Sequence, residues 1–248
     1  FLDGLHAPDQ SVLKAIEISK ANGGYHYGGS FSSAEILLTI YDKLITDEDR
    51  FILSKGHACW VYYVLLREKN FDPVLEGHPH LDLLNGVHWT TGSEGHGFPA
   101  GLGMAFAKKK KKEPGLVYVL MGDGECQEGT TWESLLLASH LKLDNLVIIV
   151  DYNKIQSFGL VSDVMNLDPL AEKFRAFNWE VEEVDGHSFT ALEDIFQRFK
   201  NSRNGLPKCV VAHTVKGKGV SFMENDLAWH YRSPSDEEVL KARQELLS

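Results

Sequence analysis

The residues best placed to do chemistry stand in two short clusters. Gly122-Asp123-Gly124 follows an apolar run ending at Met121, and Asp151-Tyr152-Asn153-Lys154-Ile155 closes a second such run. Glycines in the first turn let a backbone approach a ligand closely, and a helix starting there offers free N–H groups and its positive dipole end to a diphosphate. Asp123 is acceptor-only and can hold a divalent cation. Taken alone, a Gly-Asp-Gly turn is as readily a turn with no ligand. Asp123 and Asn153 lie 30 residues apart, about the length that a strand-helix-strand crossover consumes. If the two strands are parallel neighbours, both loops share one carboxyl edge, where open α/β sheets bind ligands. One carboxylate, one side-chain amide and a nearby carbonyl would then surround a small cation. Mg²⁺ suits such a set, because it completes its octahedron with phosphate and water. Asn153 as a plain turn residue is the simpler alternative, and the spacing argues against it.

The elements that must position these loops follow from a repeated alternation of β-branched runs with helical segments. That rhythm signals an α/β fold, a mostly parallel sheet with helices on both faces. Strands are expected at 50–54, 115–121, 145–151, 179–184 and 208–213, and helices at 9–22, 32–44, 57–69, 100–107, 130–143 and 189–200. The lysine tract at 108–112 reads as a solvated loop. No Pro/Ser-rich linker or internal repeat divides the sequence, so residues 1–248 read as a single domain. The excess of 35 acidic over 25 basic residues gives a net charge of -10, which disfavours a nucleic-acid partner. No apolar stretch approaches the roughly 18 residues of a membrane span, so no membrane partner is expected either. Cys59, Cys126 and Cys209 lack C-x-x-C spacing, which points to a reducing, cytoplasmic setting rather than to disulfides or structural zinc. The sequence opens with neither a basic-then-apolar leader nor a Met.

Gly122-Asp123-Gly124-Glu125-Cys126-Gln127-Glu128-Gly129, followed by Asp151 to Ile155, resembles the thiamine diphosphate motif of transketolases, specifically of their N-terminal, diphosphate-binding domain. Ser54-Lys55-Gly56-His57, Gly77-His78-Pro79, Thr90-Thr91-Gly92-Ser93 and the segment from Thr214 to Asn225 are similar to transketolase segments in the same order. The resemblance runs from about His26 to His230 and is closest to the short subunits of split transketolases, in which the two halves of the enzyme are separate chains. It implies the thiamine diphosphate-binding fold, with thiamine diphosphate and Mg²⁺ (or Ca²⁺ or Mn²⁺) as cofactors. Asp123 and Asn153 would ligate the metal through side chains and Ile155 through its carbonyl. Gly122 and Gly124 would approach the diphosphate, and His57 and His230 would donate to it. Gly92 would lie beside the aminopyrimidine, while His26 and His78 would face the substrate channel. Glu128 and Glu133 match carboxylates that the family places near the cofactor and the subunit contact.

Departures from the family pattern bear on function. Glu94 stands where the family generally has an apolar residue against the cofactor, so it is expected to face solvent, to pair with His96, or to belong to an altered substrate site. His26 lies in Tyr25-His26-Tyr27-Gly28 rather than Gly-His-Pro-Gly, so its turn is expected to differ. His96 is a further candidate from its Gly-rich loop, whereas His80, His88, His140, His187 and His213 read as structural or exposed. The family's glutamate that contacts the aminopyrimidine belongs to a pyrimidine-binding domain, and no segment here resembles it. The resemblance thus implies half an active site. A second subunit would carry the pyrimidine-binding and C-terminal domains, in a heterotetramer of two pairs, acting by two-carbon ketol transfer between sugar or sugar-phosphate substrates. Trp132 and 135–137 are expected at the interface. The alternatives are another thiamine diphosphate enzyme, a synthase or decarboxylase, or a non-catalytic scaffold that retains the fold. A dinucleotide-binding or P-loop enzyme is disfavoured, because neither G-x-G-x-x-G in a first βα turn nor G-K-[ST] is present.

Overall fold

The computed structural model describes residues 8–247, so the outermost ends of the expected 1–248 domain lie outside the described residues. Helices α1 (Pro8–Ala21), α2 (Tyr27–Ser32) and α3 (Ala34–Thr39) lead into strand β1 (Arg50–Leu53), and α4 (Cys59–Glu68) follows. Next come α5 (Gly97–Lys111), β2 (Val117–Gly122), α6 (Gly129–His140) and β3 (Leu146–Tyr152). A small hairpin pairs β4 (Ile155–Gln156) with β5 (Gly159–Leu160), and α7 (Val161–Met165), α8 (Leu170–Ala176), β6 (Glu180–Asp185), α9 (Phe189–Asn201), β7 (Lys208–His213) and α10 (Asp236–Leu246) complete the order. The main sheet runs β1-β2-β3-β7-β6 with every pairing parallel.

The central strands are buried on both faces, which is why they read as continuous apolar runs rather than alternating ones. Tyr118, Leu120, Val147 and Ile149 point into one core, shared with α1, α3, α4 and α9. Val117, Val119, Ile148 and Val150 point into the other, under α5, α6 and α8. Each layer has local sequence causes. Ser188 caps α9 by accepting from the Ala191 N–H, and Leu192, Ile195, Phe196 and Phe199 form its buried stripe. Ser235 and Glu238 form a reciprocal capping box at the start of α10.

The lysine tract corrects the expectation of a solvated loop. Residues 108–111 continue α5, and Lys108 is buried with its Nζ donating to the Glu48 carbonyl at 2.8 Å. Its aliphatic stem packs while the head finds a backbone acceptor, so composition misleads here. Expected helix 32–44 breaks into α2, α3 and a π-helical turn at Ile40–Leu44. The three cysteines are buried and unpaired. Among the described residues no helix is long and apolar enough to cross a membrane.

Glycine lets α5 lie close on the sheet, since a Cβ at Gly101 would collide with Val119 Cγ2. Gly101→Val should therefore cost about 1–3 kcal/mol of stability by overpacking. Gly103 lies on the open side of the same helix, and a methyl added there would meet nothing within 4 Å. Gly103→Ala should accordingly stabilise by roughly 0.5–1 kcal/mol. Urea unfolding of the two variants checks this, and equal stabilities would contradict the packing account.

Candidate active site

The carboxyl ends of β1, β2, β3 and β7 open onto one cleft, lined by Lys55, Asp123, Asn153, Ile155, Lys216 and neighbours from each strand end. Gly122 pairs in register with Asp151, so the Gly-Asp-Gly turn and the Asp151–Ile155 loop lie side by side as their spacing requires. Asp151 is fully buried. Its Oδ2 accepts from Lys55 Nζ, from Ser32 Oγ at 2.6 Å and from Asn153 Nδ2 at 2.9 Å, and its Oδ1 accepts from Thr214 Oγ1. Burial pushes its pKa up, but the Lys55 ammonium and the hydroxyl donors outweigh burial and hold it below the usual carboxylate range.

Asn153 donates its amide N–H to Asp151, which turns Oδ1 the other way, toward the Ile155 N–H at 3.1 Å. Asp123 Oδ1 accepts from the Gly124 N–H at 2.7 Å and Oδ2 from the Lys154 N–H. Burial first, then the Asp151 charge, raises the Asp123 pKa to about 6. A carboxylate so placed is short of positive charge, and a cation would supply it. Asp123, Asn153 Oδ1 and the Ile155 carbonyl are hard oxygen donors that fit Mg²⁺. No group of three or more His, Cys, Asp or Glu side chains among the described residues could hold a metal, so phosphate and water would have to complete the shell. Lys216, buried, donates from Nζ to the Ile155 carbonyl at 2.8 Å and lies 3.0 Å from His230 Nδ1. Burial and the Lys55 charge lower its pKa to about 8.

Four candidate histidines form one cluster. The ring of His26 lies 5.2 Å from that of His57, 4.9 Å from His230 and 6.2 Å from His78. His26 has a left-handed backbone, φ 65°, and its buried Nδ1 has no hydrogen-bond partner. His26 stands just before α2, at its N-terminal boundary. Burial lowers the pKa of all four, that of His26 to about 3, so the cluster is neutral near pH 7. Glu94 Oε1 lies 3.2 Å from His57 Nδ1. It is therefore His57, not His96, that pairs with the Glu94 carboxylate; His96 Nδ1 instead lies 3.0 Å from the Glu94 backbone oxygen.

Other expected residues lie around the cleft. Gly92 is exposed, with φ 143°, and a Cβ there would press on His78 at 3.2 Å. Glu128 is exposed at the start of α6, against Gly95, and Glu133 is exposed on α6. Leu136 and Leu137 are exposed, but Leu135 is buried in the protein's own core and cannot serve an interface, while Trp132 packs on Phe174 and Phe177. Sequence reasoning assigned no role to Lys55, Lys216, Ser32, Thr214 or Asp151. It also missed Glu125, which accepts from Ser54 Oγ and from the Gly95 and Gly122 N–H groups and whose pKa burial raises to about 7. His187 is structural as expected, and its Nε2 accepts from the Val215 N–H at 2.9 Å, bracing the loop that carries Thr214 and Lys216.

A family model described as the transketolase thiamine diphosphate binding domain matches residues 8–247. An apulose-4-phosphate transketolase subunit from Actinobacillus succinogenes is 37% identical, over 98% of this chain and 96% of that protein. A 6-deoxy-6-sulfo-D-fructose transketolase subunit from Clostridium sp. is 36% identical, over 89% of this chain and 87% of that protein. The crystal structure of transketolase from Campylobacter jejuni is similar with a TM-score of 0.84 at 29% identity, over 96% of this chain and 42% of that one. The chain thus matches most of each of these two subunits but about two fifths of the solved transketolase. With a fold, a cleft and a family match that coincide over nearly its whole length, the chain belongs to the transketolase family, as a thiamine diphosphate-binding domain.

Proposed function

We propose that this chain is the diphosphate-side subunit of a split transketolase, completed by a second subunit that brings the pyrimidine-binding and C-terminal domains. Together they transfer a two-carbon ketol unit between sugar or sugar-phosphate substrates. The observation that carries this reading is the gathering of Asp123, Asn153 and Ile155 around one cleft, with the Asn153 amide held by Asp151. Thiamine diphosphate, when bound, supplies a ring that adds to a carbonyl and holds the electrons released on cleavage. The chain's own residues hold and orient. Asp123, Asn153 and Ile155 would ligate Mg²⁺, and Lys216, His57 and His230 would face the diphosphate. His26 and His78, both neutral, would meet the sugar hydroxyls without adding charge.

The coverage of relatives supports a partner: the chain spans 96% of one transketolase subunit but 42% of a solved transketolase. The rest of the cofactor would be enclosed by another surface, which would also exclude water from the reacting carbon. Two such pairs would assemble with two-fold symmetry. The exposed Leu136 and Leu137 on α6 and Phe158, Leu160 and Met165 beside the β4–β5 hairpin would contribute apolar contact.

Calorimetric titration of thiamine diphosphate with Mg²⁺ into the reconstituted enzyme tests the metal assignment. Asp123→Ala should weaken binding at least about tenfold, and more than Asn153→Ala does, because it removes the charged ligand. Unchanged affinity in Asp123→Ala would refute the assignment. Ketol transfer should need the partner subunit, and robust turnover by the purified chain alone would contradict the split-site reading. Lys55→Met should cost about 3–5 kcal/mol in urea unfolding, since it strands the Asp151 charge. The double variant Lys55→Met with Asp151→Leu should recover much of that stability while remaining unable to bind cofactor. A double variant as unstable as the single one would show that the ion pair is not what the stability depends on.

A further inference from the structure

Two tyrosines flank the histidine cluster. The ring of Tyr25 lies 4.3 Å from that of His26, and the ring of Tyr231 lies 5.8 Å from His26 and 4.8 Å from His230. His26 is only 8% exposed, whereas Tyr25 is 37% and Tyr231 58% exposed, so beside His26 it is the phenols that meet solvent. Among the described residues neither hydroxyl has a hydrogen-bond partner. Tyr25 stands where the Gly-His-Pro-Gly pattern has its first glycine, so this ring adds bulk at the cluster.

Both rings come from segments that are stitched together. The Tyr25 carbonyl accepts from Nε1 of buried Trp60 at 2.7 Å. Ser233 Oγ donates to the Gly24 carbonyl, and Lys20 Nζ donates to the Pro234 carbonyl at 3.1 Å. The turn before Tyr231 is anchored by buried Trp229, whose Nε1 donates to the Phe222 carbonyl at 3.0 Å and whose ring carries the Arg232 guanidinium at 4.3 Å. The Tyr25 hydroxyl reaches Gly77, where a Cβ would lie 3.7 Å from it, one residue before His78.

Charge is spent elsewhere. In the flanking segments Lys20 pairs with Asp236, Glu76 with His80 and Arg232 with Glu238. Lys55 and Lys216 are buried, donating to Asp151 and to the Ile155 carbonyl. A phosphate set against Tyr25 and Tyr231 would give up water for donors without positive charge, and the negative ring faces would repel it. A polyol suits both features: its C–H face meets the ring faces, and its hydroxyls find phenols that both donate and accept.

We propose that Tyr25 and Tyr231 are specificity-determining residues, an aromatic wall beside His26 that favours the hydroxylated carbon chain of a sugar over a phosphate group at the same place. That the sugar is a ketol-transfer substrate rests on the transketolase reading; that the wall binds a polyol does not.

The test compares ketol transfer by the reconstituted enzyme to D-glyceraldehyde and to D-glyceraldehyde 3-phosphate, which differ only in the phosphate. In the double variant Tyr25→Ala with Tyr231→Ala, the ratio of kcat/KM for the first to that for the second should fall about tenfold, chiefly through KM for D-glyceraldehyde. Tyr25→Phe with Tyr231→Phe, which keeps the rings, should lie between the double alanine variant and wild type. An equal change for both acceptors, or none, would overturn the proposal, because a merely structural role does not distinguish them. Mg²⁺ and thiamine diphosphate should bind the double alanine variant as tightly as wild type by calorimetry; lost binding would overturn it, because the rings would then serve the cofactor end. Saturation-transfer NMR with D-erythrose should show transfer from aromatic protons to the sugar C–H groups in wild type and its loss in the double alanine variant. Absence of transfer in wild type, or equal transfer in both, would likewise overturn the proposal. If wild type transfers a ketol unit to neither acceptor, the transketolase reading fails, and the NMR comparison still decides whether the wall binds a polyol.

Discussion

The site depends on one buried carboxylate. Asp151 closes β3 with no exposure to water, where an unpaired charge would cost several kcal/mol. Lys55 from after β1, Ser32 from α2 and Thr214 from after β7 all converge on it. Each of these donors fixes a different segment against the strand end, so satisfying the charge and assembling the cleft are the same act. A buried ion pair is weak evidence for stability, and orientation is its better-attested use. Here the consequence is an Asn153 amide of fixed orientation, its nitrogen on Asp151 and its oxygen on the Ile155 N–H.

A second layer of constraint keeps the cleft ready and incomplete. Asp123 is raised toward about 6 by burial and by Asp151, and the ammonium of Lys216 rests on the carbonyl that a cation would use. On the opposite wall, four neutral histidines crowd together, one with left-handed backbone and an unsatisfied nitrogen. Glu94, half exposed, lines the same cleft.

Much of the fold was legible because the parallel strands are buried on both faces and so read as unbroken apolar runs. The two loops were legible because Asp123 and Asn153 are separated by one crossover. What sequence could not show were the partners of Asp151. Lys55, Ser32 and Thr214 lie 96, 119 and 63 residues from it, with no local periodicity to connect them. Lys55 and Lys216 sat inside segments quoted for their neighbours, and nothing in a single sequence says that a lysine is buried. The same gap explains the lysine tract, where Lys108 found a carbonyl of a distant turn. It also explains Leu135, which has the same type as Leu136 and Leu137 but faces inward because of its place on the turn of α6.

Anomalous diffraction from crystals of this chain grown with its partner subunit, thiamine diphosphate and Mn²⁺ tests most directly whether Asp151 prepares a cation site. The account predicts a single strong peak in the cleft, bounded by Asp123, Asn153 Oδ1 and the Ile155 carbonyl, with the Asn153 amide still donating to Asp151. Bound cofactor with no peak between these three residues, or a peak ligated elsewhere, would contradict it.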